Sequence, residues 1–199
     1  MPDPANCPLC RSSATLQPIT GDRRDYACSR CGNYSTVDTA EQLLRQTPIQ
    51  NPGAVSGWIR RQNSMGVTPH IGGDVAWLRM LTKPPFRERV ERYLVAVADK
   101  AQTLDQWFKV GEQEVVGVSY SDHLNDPVVI LDYLRQEGLL TNTLRDSERL
   151  TAKGYIAADA KRAASSQAFV AMWFTKEMKK VYEHECHAKQ RVGSQGGDE

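Results

Sequence analysis

Four cysteines near the start of the chain form two pairs, each with two residues between its members. The pairs are Cys7 with Cys10 and Cys28 with Cys31, and seventeen residues separate them. A narrow turn can place both thiolates of such a pair on one ion, and two turns complete a tetrahedron. The spacing therefore predicts a four-thiolate zinc site. Because all four ligands come from the protein, such a zinc holds structure and offers no open position to a substrate.

Disulfides or four unrelated thiols are the alternatives to a metal site. Disulfides suit secreted chains, but the first six residues contain no apolar segment of the kind that a signal peptide has. We therefore expect a cytoplasmic chain with reduced thiols.

Gly32 directly follows Cys31 and fits a turn that needs positive φ after a ligand. Arg11 follows Cys10, so the first pair departs from that pattern.

The balance of charge along the chain limits the class of partner. The 199 residues carry 25 basic and 24 acidic side chains. Residues 1–82 have a net charge of +2 (8 basic, 6 acidic), residues 83–162 of −1 (12 and 13), and residues 163–199 of zero (5 and 5). No segment has the positive field of a protein that wraps nucleic acid non-specifically. No apolar stretch approaches the length of a membrane span, so we expect no membrane partner.

The cysteines must be positioned by a small N-terminal unit, which we predict over residues 1–38. Short strands are expected near 16–19 and 25–27, with Gly21 in the turn between them. A segment of this size cannot bury enough apolar surface to fold alone. Metal binding would then contribute most of its folding free energy.

Residues 39–82 are predicted to form a helical connector. Residues 39–50 look helical, with Leu43 and Leu44 expected to face inward, and Thr47 and Pro48 are expected to stop this helix. Two further short helices are indicated by apolar residues at helical spacing, namely Val55, Trp58 and Ile59, and then Val75, Leu78 and Leu81. The connector is expected to link the metal-bound unit to a separate domain.

Residues 83–162 carry the clearest helical periodicity. One helix begins after Pro84, and a second is expected over 127–137 and ends at Gly138. Two strands around a polar tip follow, and Thr151 caps a further helix. The predicted inward-facing residues are Phe86, Val90, Tyr93, Leu94, Val97 and Ala101 on the first helix, and Val128, Leu131 and Leu134 on the second.

This order of elements resembles the winged-helix fold. The stretches LDYLRQEGLL (131–140) and RLTAKGY (149–155) resemble the last core helix, wing and following helix of many bacterial regulators. The resemblance implies a winged-helix domain over 83–162. Winged helices bind DNA, but they also serve as protein contacts.

Arginines on the second helix and the polar tip are the candidates for nucleic-acid contacts. They are Arg135, Arg145 and Arg149. Acidic residues stand beside them, namely Asp132, Glu137, Asp146 and Glu148. These acids repel phosphate, which weakens the expectation of duplex binding. In the connector, the basic pair Arg60 and Arg61 is interpreted as a solvated helix face rather than a phosphate contact.

Residues 168–174 form a continuous apolar run of strand length, which is typical of a strand buried in a parallel sheet. The stretch SSQAFVAMWFTKEMKKVYE (165–183) resembles the opening strand and helix of bacterial TIR-like and nucleoside 2-deoxyribosyltransferase-like domains. In that family the first strand lines a nucleotide-base pocket, which would here involve Phe169, Met172 and Trp173. The resemblance implies a truncated stub over 163–199 that lacks the catalytic glutamate. Alternatively, residues 168–182 are a hydrophobic strand or helix that packs on the winged helix.

Together these patterns predict an α+β protein in four segments, with zinc as its cofactor. We expect a non-catalytic regulatory or sensing module of a nucleotide-processing TIR-like protein. It would bind nucleic acid, another protein, a second copy of the chain or a small signal. A stand-alone zinc-dependent DNA-binding regulator is the alternative. A third hypothesis is an enzyme that completes its sheet with another chain.

Overall fold

The structure is a computed structural model, which describes residues 3–17, 21–109, 112–123, 125–144 and 147–173. The chain divides into two compact units, residues 1–158 and residues 159–199. Helices and strands are mixed along the first unit, which confirms the predicted α+β class.

The first unit begins with a five-stranded sheet in which neighbouring strands follow chain order. Its strands are β1 (Asp3–Asn6), β2 (Ser13–Leu16), β3 (Arg23–Cys28), β4 (Gly32–Val37) and β5 (His70–Ile71). The first four strands pair antiparallel, and β5 joins β4 in parallel. β4 buries the consecutive side chains of Tyr34, Ser35 and Thr36, because it is covered on both faces.

Strand β2 lies earlier than predicted. It ends at Leu16, because Ala14 and Leu16 pair with Cys28 and Tyr26 and so anchor β2 to the strand that ends in a cysteine. The last two residues of the predicted strand, 18 and 19, lie outside the described residues. The strand expected near 25–27 is confirmed within β3. Gly21 has a φ of +64°, as expected of a glycine in a tight turn.

Three helices follow the sheet: α1 (Asp38–Gln46), α2 (Pro52–Ser64) and α3 (Ala76–Met80). Helix α1 ends at Gln46, which agrees with the predicted stop at Thr47 and Pro48, because the residue before a proline is driven out of helical geometry. Leu44 is buried, but Leu43 is 44% exposed, so the prediction that both face inward was wrong for Leu43. The sheet and these helices share one apolar core that runs from Cys7 to Leu78.

The rest of the first unit is built on a second core. Its elements are α4 (Phe86–Lys100), β6 (Phe108–Lys109), α5 (Gln113–Val118), α6 (Pro127–Gln136), β7 (Leu140–Leu144) and β8 (Ser147–Leu150). The three strands form an antiparallel sheet in the order β6-β8-β7. Tyr93, Leu94, Leu131 and Leu134 lie in this core.

Helix α4 confirms the middle of its predicted apolar stripe. Val90, Tyr93, Leu94 and Val97 are buried, as expected. Phe86 is exposed instead, so its predicted inward position was wrong. It occupies the first position of the helix, beyond the layer of side chains that forms the core.

Helix α6 differs from its prediction on one face. Ile130, Leu131 and Leu134 are buried, whereas Val128 is 40% exposed. The helical repeat explains the difference, since Ile130 and Leu134 lie four residues apart and leave Val128 nearly opposite their face. Gly138 follows the helix with a φ of +68°, as its predicted role requires.

Helix α7 (Ala152–Trp173) continues through residues that were predicted to form a strand. The Thr151 hydroxyl accepts a hydrogen bond from Gly154 N–H, which confirms the predicted cap. The strand predicted over 168–174 was wrong, because 168–173 are helical. Alanine favours a helix over a strand, and seven alanines between 157 and 171 carry the helix onward. None of the helices in the described ranges combines the length and hydropathy needed to cross a membrane.

Candidate metal centre

Two loops at the same end of the N-terminal sheet bring the four cysteines together. The first metal loop, residues 7–12, joins β1 to β2, and the second metal loop, residues 28–33, joins β3 to β4. Arg11 N–H donates to the Cys7 carbonyl at 2.8 Å, and Cys31 N–H donates to Cys28 Sγ at 3.3 Å. Each loop is therefore a tight turn that places two sulfurs side by side.

The sulfur positions fit a tetrahedral ion. All four Sγ atoms lie within 4.8 Å of one another. Two separations between the loops are 3.9 Å, from Cys7 to Cys31, and 3.5 Å, from Cys10 to Cys28. An ion with sulfur ligands at about 2.3 Å holds them about 3.8 Å apart. None of the four cysteines forms a disulfide, so the cluster could hold a metal ion.

In both metal loops the residue after the second cysteine has a positive φ, although only the second loop has a glycine there. Gly32 has a φ of +89°, as predicted, and Arg11 has a φ of +63°. Arg11 thus takes the left-handed conformation at the position that glycine occupies in the second loop. This costs an L-residue roughly 1 kcal/mol or more, and the turn that carries Cys7 and Cys10 forms despite that cost.

Two buried hydroxyl groups lie against the most buried sulfurs. Tyr34 Oη is 3.1 Å from Cys7 Sγ, and Ser56 Oγ is 3.1 Å from Cys31 Sγ. A metal-bound thiolate can only accept, so both hydroxyls are donors in the loaded site. Burial raises the pKa of Tyr34 well above its ordinary value, which keeps its hydroxyl proton in place. Such outer hydrogen bonds orient the ligands of a metal site.

Burial also acts on the cysteines themselves. Cys7 is 1% exposed, and burial raises the pKa of its thiol because the thiolate loses its hydration. Four thiolates packed this closely would repel one another strongly without a cation among them. A divalent ion bound by all four would supply the missing positive charge and deprotonate the thiols.

Helix α2 braces the second metal loop from outside. Arg60 donates to the carbonyl oxygens of Arg30 at 3.0 Å and Ser29 at 2.7 Å. Asn63 bonds both the N–H and the carbonyl of Asn33, at 2.7 and 2.8 Å. The sequence predicted Arg60 to lie on a solvated helix face, and that interpretation was wrong, because its side chain is only 20% exposed.

Helix α5 contacts both metal loops. Ser12 Oγ donates to Gln113 Oε1 at 3.1 Å, and Arg60 on α2 forms an ion pair with Glu114 at 3.1 Å. The Arg30 side chain extends beyond the second loop to the Ser121 carbonyl at 2.6 Å. The metal loops therefore form part of the contact between the N-terminal sheet and the second core.

Sequence reasoning missed these supporting residues. Ser56, Arg60 and Asn63 recur on α2 at spacings of four and three, which places them on one helix face. A polar stripe of this kind could have indicated a contact surface. Tyr34 gave no such signal, because only the fold of β4 brings its hydroxyl to Cys7.

The predicted nucleic-acid residues lie apart from the metal centre in the fold. Arg135 is held by Glu148, which is 1% exposed, and by Asp132 at 2.7 Å. The Arg149 guanidinium lies over the Trp107 ring, 5.1 Å from its centroid. Arg145 lies outside the described residues. The two arginines that the structure does describe are thus engaged by different partners.

The predicted nucleotide-pocket residues all fall in helix α7 of the second unit. Phe169, Met172 and Trp173 belong to its last two turns. Residues 174–199, where the predicted second helix of the stub would lie, are outside the described residues.

No protein-family model, no curated protein and no solved structure matches this chain. What the centre can do is therefore argued from its own residues: four sulfurs within 4.8 Å of one another, and two buried hydroxyl groups that contact them.

Proposed function

We propose that this chain is a non-catalytic regulatory or sensing module, in which a zinc ribbon is joined to a winged helix. The four sulfurs would hold one zinc ion that fixes the N-terminal sheet. The observation that carries the proposal is the cysteine cluster, with cross-loop sulfur separations of 3.5 and 3.9 Å. Thiolate ligands of this number and spacing favour zinc over hard cations such as Mg²⁺ and Ca²⁺.

The order of elements after residue 83 supports the winged-helix half of the proposal. A helix, a short strand, two helices and a hairpin follow one another, from α4 to β8. The short strand β6 pairs with the hairpin strand β8, so the three strands close one end of the helical core. A single core of helices covered by a three-stranded sheet is what that fold requires.

The exposed face of α6 favours a protein or a small molecule over duplex DNA as the binding partner. Val129 is 62% exposed and Tyr133 42% exposed, and the exposed Asp132 stands beside them. Arg135, the cation of this helix, is held by two acids. A helix that reads a groove usually offers cations to phosphates and amides or guanidinium groups to bases.

The contacts of the metal loops with α5 would let the proposed module respond to changes at the cysteines. They touch α5 through Ser12 and through the backbone of Arg30. A change at the thiolates, by metal loss or oxidation, would therefore reach the second core through direct contact. Such a response needs no catalytic group.

The proposal is tested by measuring bound zinc and backbone structure together. Protein purified without chelator is expected to carry one zinc per chain, and a chelator is expected to unfold the N-terminal sheet. Amide NMR signals of residues 3–37 should collapse on metal removal, whereas those of α4 and α6 should persist. A chain that is folded throughout residues 3–37 without any metal would contradict the proposal.

A further inference from the structure

A cleft in the second core has no role in the metal centre. It lies between α4, the segment after it and α5, and the space inside it, counted out to its open mouth, is about 470 Å³. Most of that space is open to solvent, so the enclosed part leaves room for no more than about one ring. Most of its wall is apolar: Ala96, Val97, Ala101, Phe108, Val115 and Val118.

Tyr93 lines this cleft and carries a buried hydroxyl group. The residue is 1% exposed, and no hydrogen-bond partner for its Oη lies in the described part of the chain. Burial raises the pKa of Tyr93, so the hydroxyl stays neutral and can donate. The buried Glu148 carboxylate also raises this pKa, but it accepts no hydrogen bond from Tyr93. An unpaired buried hydroxyl is costly to keep, so it is left for a ligand atom that accepts from it.

The charges near the mouth of the cleft balance one another. Lys100 Nζ lies 2.9 Å from Glu112 and 2.7 Å from Glu114. Arg60 pairs with Glu114 from the other side at 3.1 Å. Two cations thus face two acids, and each is already engaged. A charged ligand would have to break one of these pairs, so the site favours a neutral molecule.

We propose that this cleft binds a small neutral molecule with an apolar, ring-sized body and one hydrogen-bond acceptor, such as an aryl ketone. The apolar body would lie against Val97, Phe108 and Val115. The acceptor would take a hydrogen bond from the Tyr93 hydroxyl.

The cleft shares a helix with the metal centre. Glu114, Val115 and Val118 of α5 line the cleft, and Gln113 and Gly117 of the same helix meet the metal loops. Binding in the cleft would therefore act on the helix that the metal loops touch. The inference rests on the proposed function for the role of this ligand as a signal, but not for its binding.

The test uses acetophenone and its isostere α-methylstyrene, in which a methylene replaces the carbonyl oxygen. Methyl NMR shifts of zinc-loaded protein are followed as each probe is added. We expect acetophenone to bind with a dissociation constant below about 1 mM and to shift Val97 and Val115. Tyr93→Phe should weaken acetophenone about three- to ten-fold and leave α-methylstyrene unchanged.

A filling variant gives the steric control. Ala96→Leu places a larger side chain in the cleft and should abolish binding of both probes. Ala152→Leu makes the same change at an exposed helical position and should leave both affinities as they are. Equal weakening of both probes by Tyr93→Phe would overturn the proposed hydrogen bond. Binding that survives Ala96→Leu, or no saturation by either probe, would overturn the site.

The outcomes for the cleft and for the metal centre are distinguishable. If zinc is held at one per chain and neither probe binds, the cleft proposal fails and the proposed function stands. If the probes bind but the chain holds no metal, the proposed function fails and the cleft remains a binding site.

Discussion

The carbonyl oxygen of Arg30, in the second metal loop, lies against Gly117 of α5 so closely that a Cβ on Gly117 would stand 2.0 Å from it. A glycine is therefore required where the helix meets the loop. The contact joins the proposed metal-binding half of the molecule to the second core without an intervening side chain.

A side chain at Gly117 should disrupt this contact. Gly117→Ala should push α5 away from the second metal loop and lower the free energy of unfolding by about 1–3 kcal/mol, because the added carbon meets backbone rather than a flexible side chain. Gly72→Ala is the matched control, since a Cβ at Gly72 would have nothing within 4 Å and its φ is not in the left-handed region. The control should change stability by less than about 0.5 kcal/mol. Denaturant unfolding of zinc-loaded protein measures both, and equal stabilities would argue against the contact.

The hydroxyl groups behind the sulfurs should contribute to metal affinity. Ser56→Ala removes a donor to Cys31 and should weaken metal binding by about 10–100-fold. Ser64→Ala lies on the same helix, where the hydroxyl donates to the Arg61 carbonyl at its surface, and should leave affinity unchanged. Competition against a chromogenic chelator gives the two affinities. If both serine variants bind zinc as tightly as the parent chain, the hydrogen bond has no part in holding the metal.

The guanidinium that braces the second loop should contribute to stability. Arg60→Gln removes donors to two loop carbonyls and an ion pair with Glu114. It should cost about 1–3 kcal/mol of stability. Arg61→Gln changes the neighbouring, exposed arginine and should cost less than about 0.5 kcal/mol. Denaturant unfolding compares the two variants, and similar losses would show that Arg60 does not brace the loop.

The cysteine quartet could be predicted from the sequence because its ligands lie in two short turns, each set by neighbouring residues. The Gly32 turn was predictable for the same reason. Ser56 and Tyr34 were not, because their hydroxyls reach the sulfurs only once α2 and β4 have packed. Arg60 was misread as a surface residue since its three acceptors come from distant parts of the chain.

The strand predicted over residues 168–174 was wrong because of the signal on which it was based. Residues 168–174 are apolar enough for a buried strand, but hydropathy alone does not distinguish a strand from a helix. The alanines upstream of Phe169 favour a helix, and they belong to α7, which Thr151 caps at its N-terminus. On α6, the prediction missed Ile130 and placed Val128 inward, because four consecutive apolar residues from Val128 to Leu131 leave the phase of the helix open.

Arg135 should prove to be structural rather than a contact to DNA. Arg135→Met leaves Glu148 buried and unpaired and should destabilise the fold by about 3 kcal/mol. The double variant Arg135→Met, Glu148→Met should regain much of the lost stability, because no buried charge remains. Thermal unfolding of the two variants and the parent checks this. A large loss of DNA affinity in Arg135→Met at unchanged stability would instead assign the arginine to nucleic acid.

One zinc ion bound by the four N-terminal cysteines is expected to hold the N-terminal sheet together. Native mass spectrometry of freshly purified protein, repeated with Cys28→Ser and with Cys186→Ser, measures this most directly. The second variant makes the same change at the cysteine that stands outside the quartet. We predict a mass increment of one zinc per chain in the parent and in Cys186→Ser, and its loss in Cys28→Ser. A parent chain without metal, or a Cys28→Ser chain that keeps it, would contradict the account.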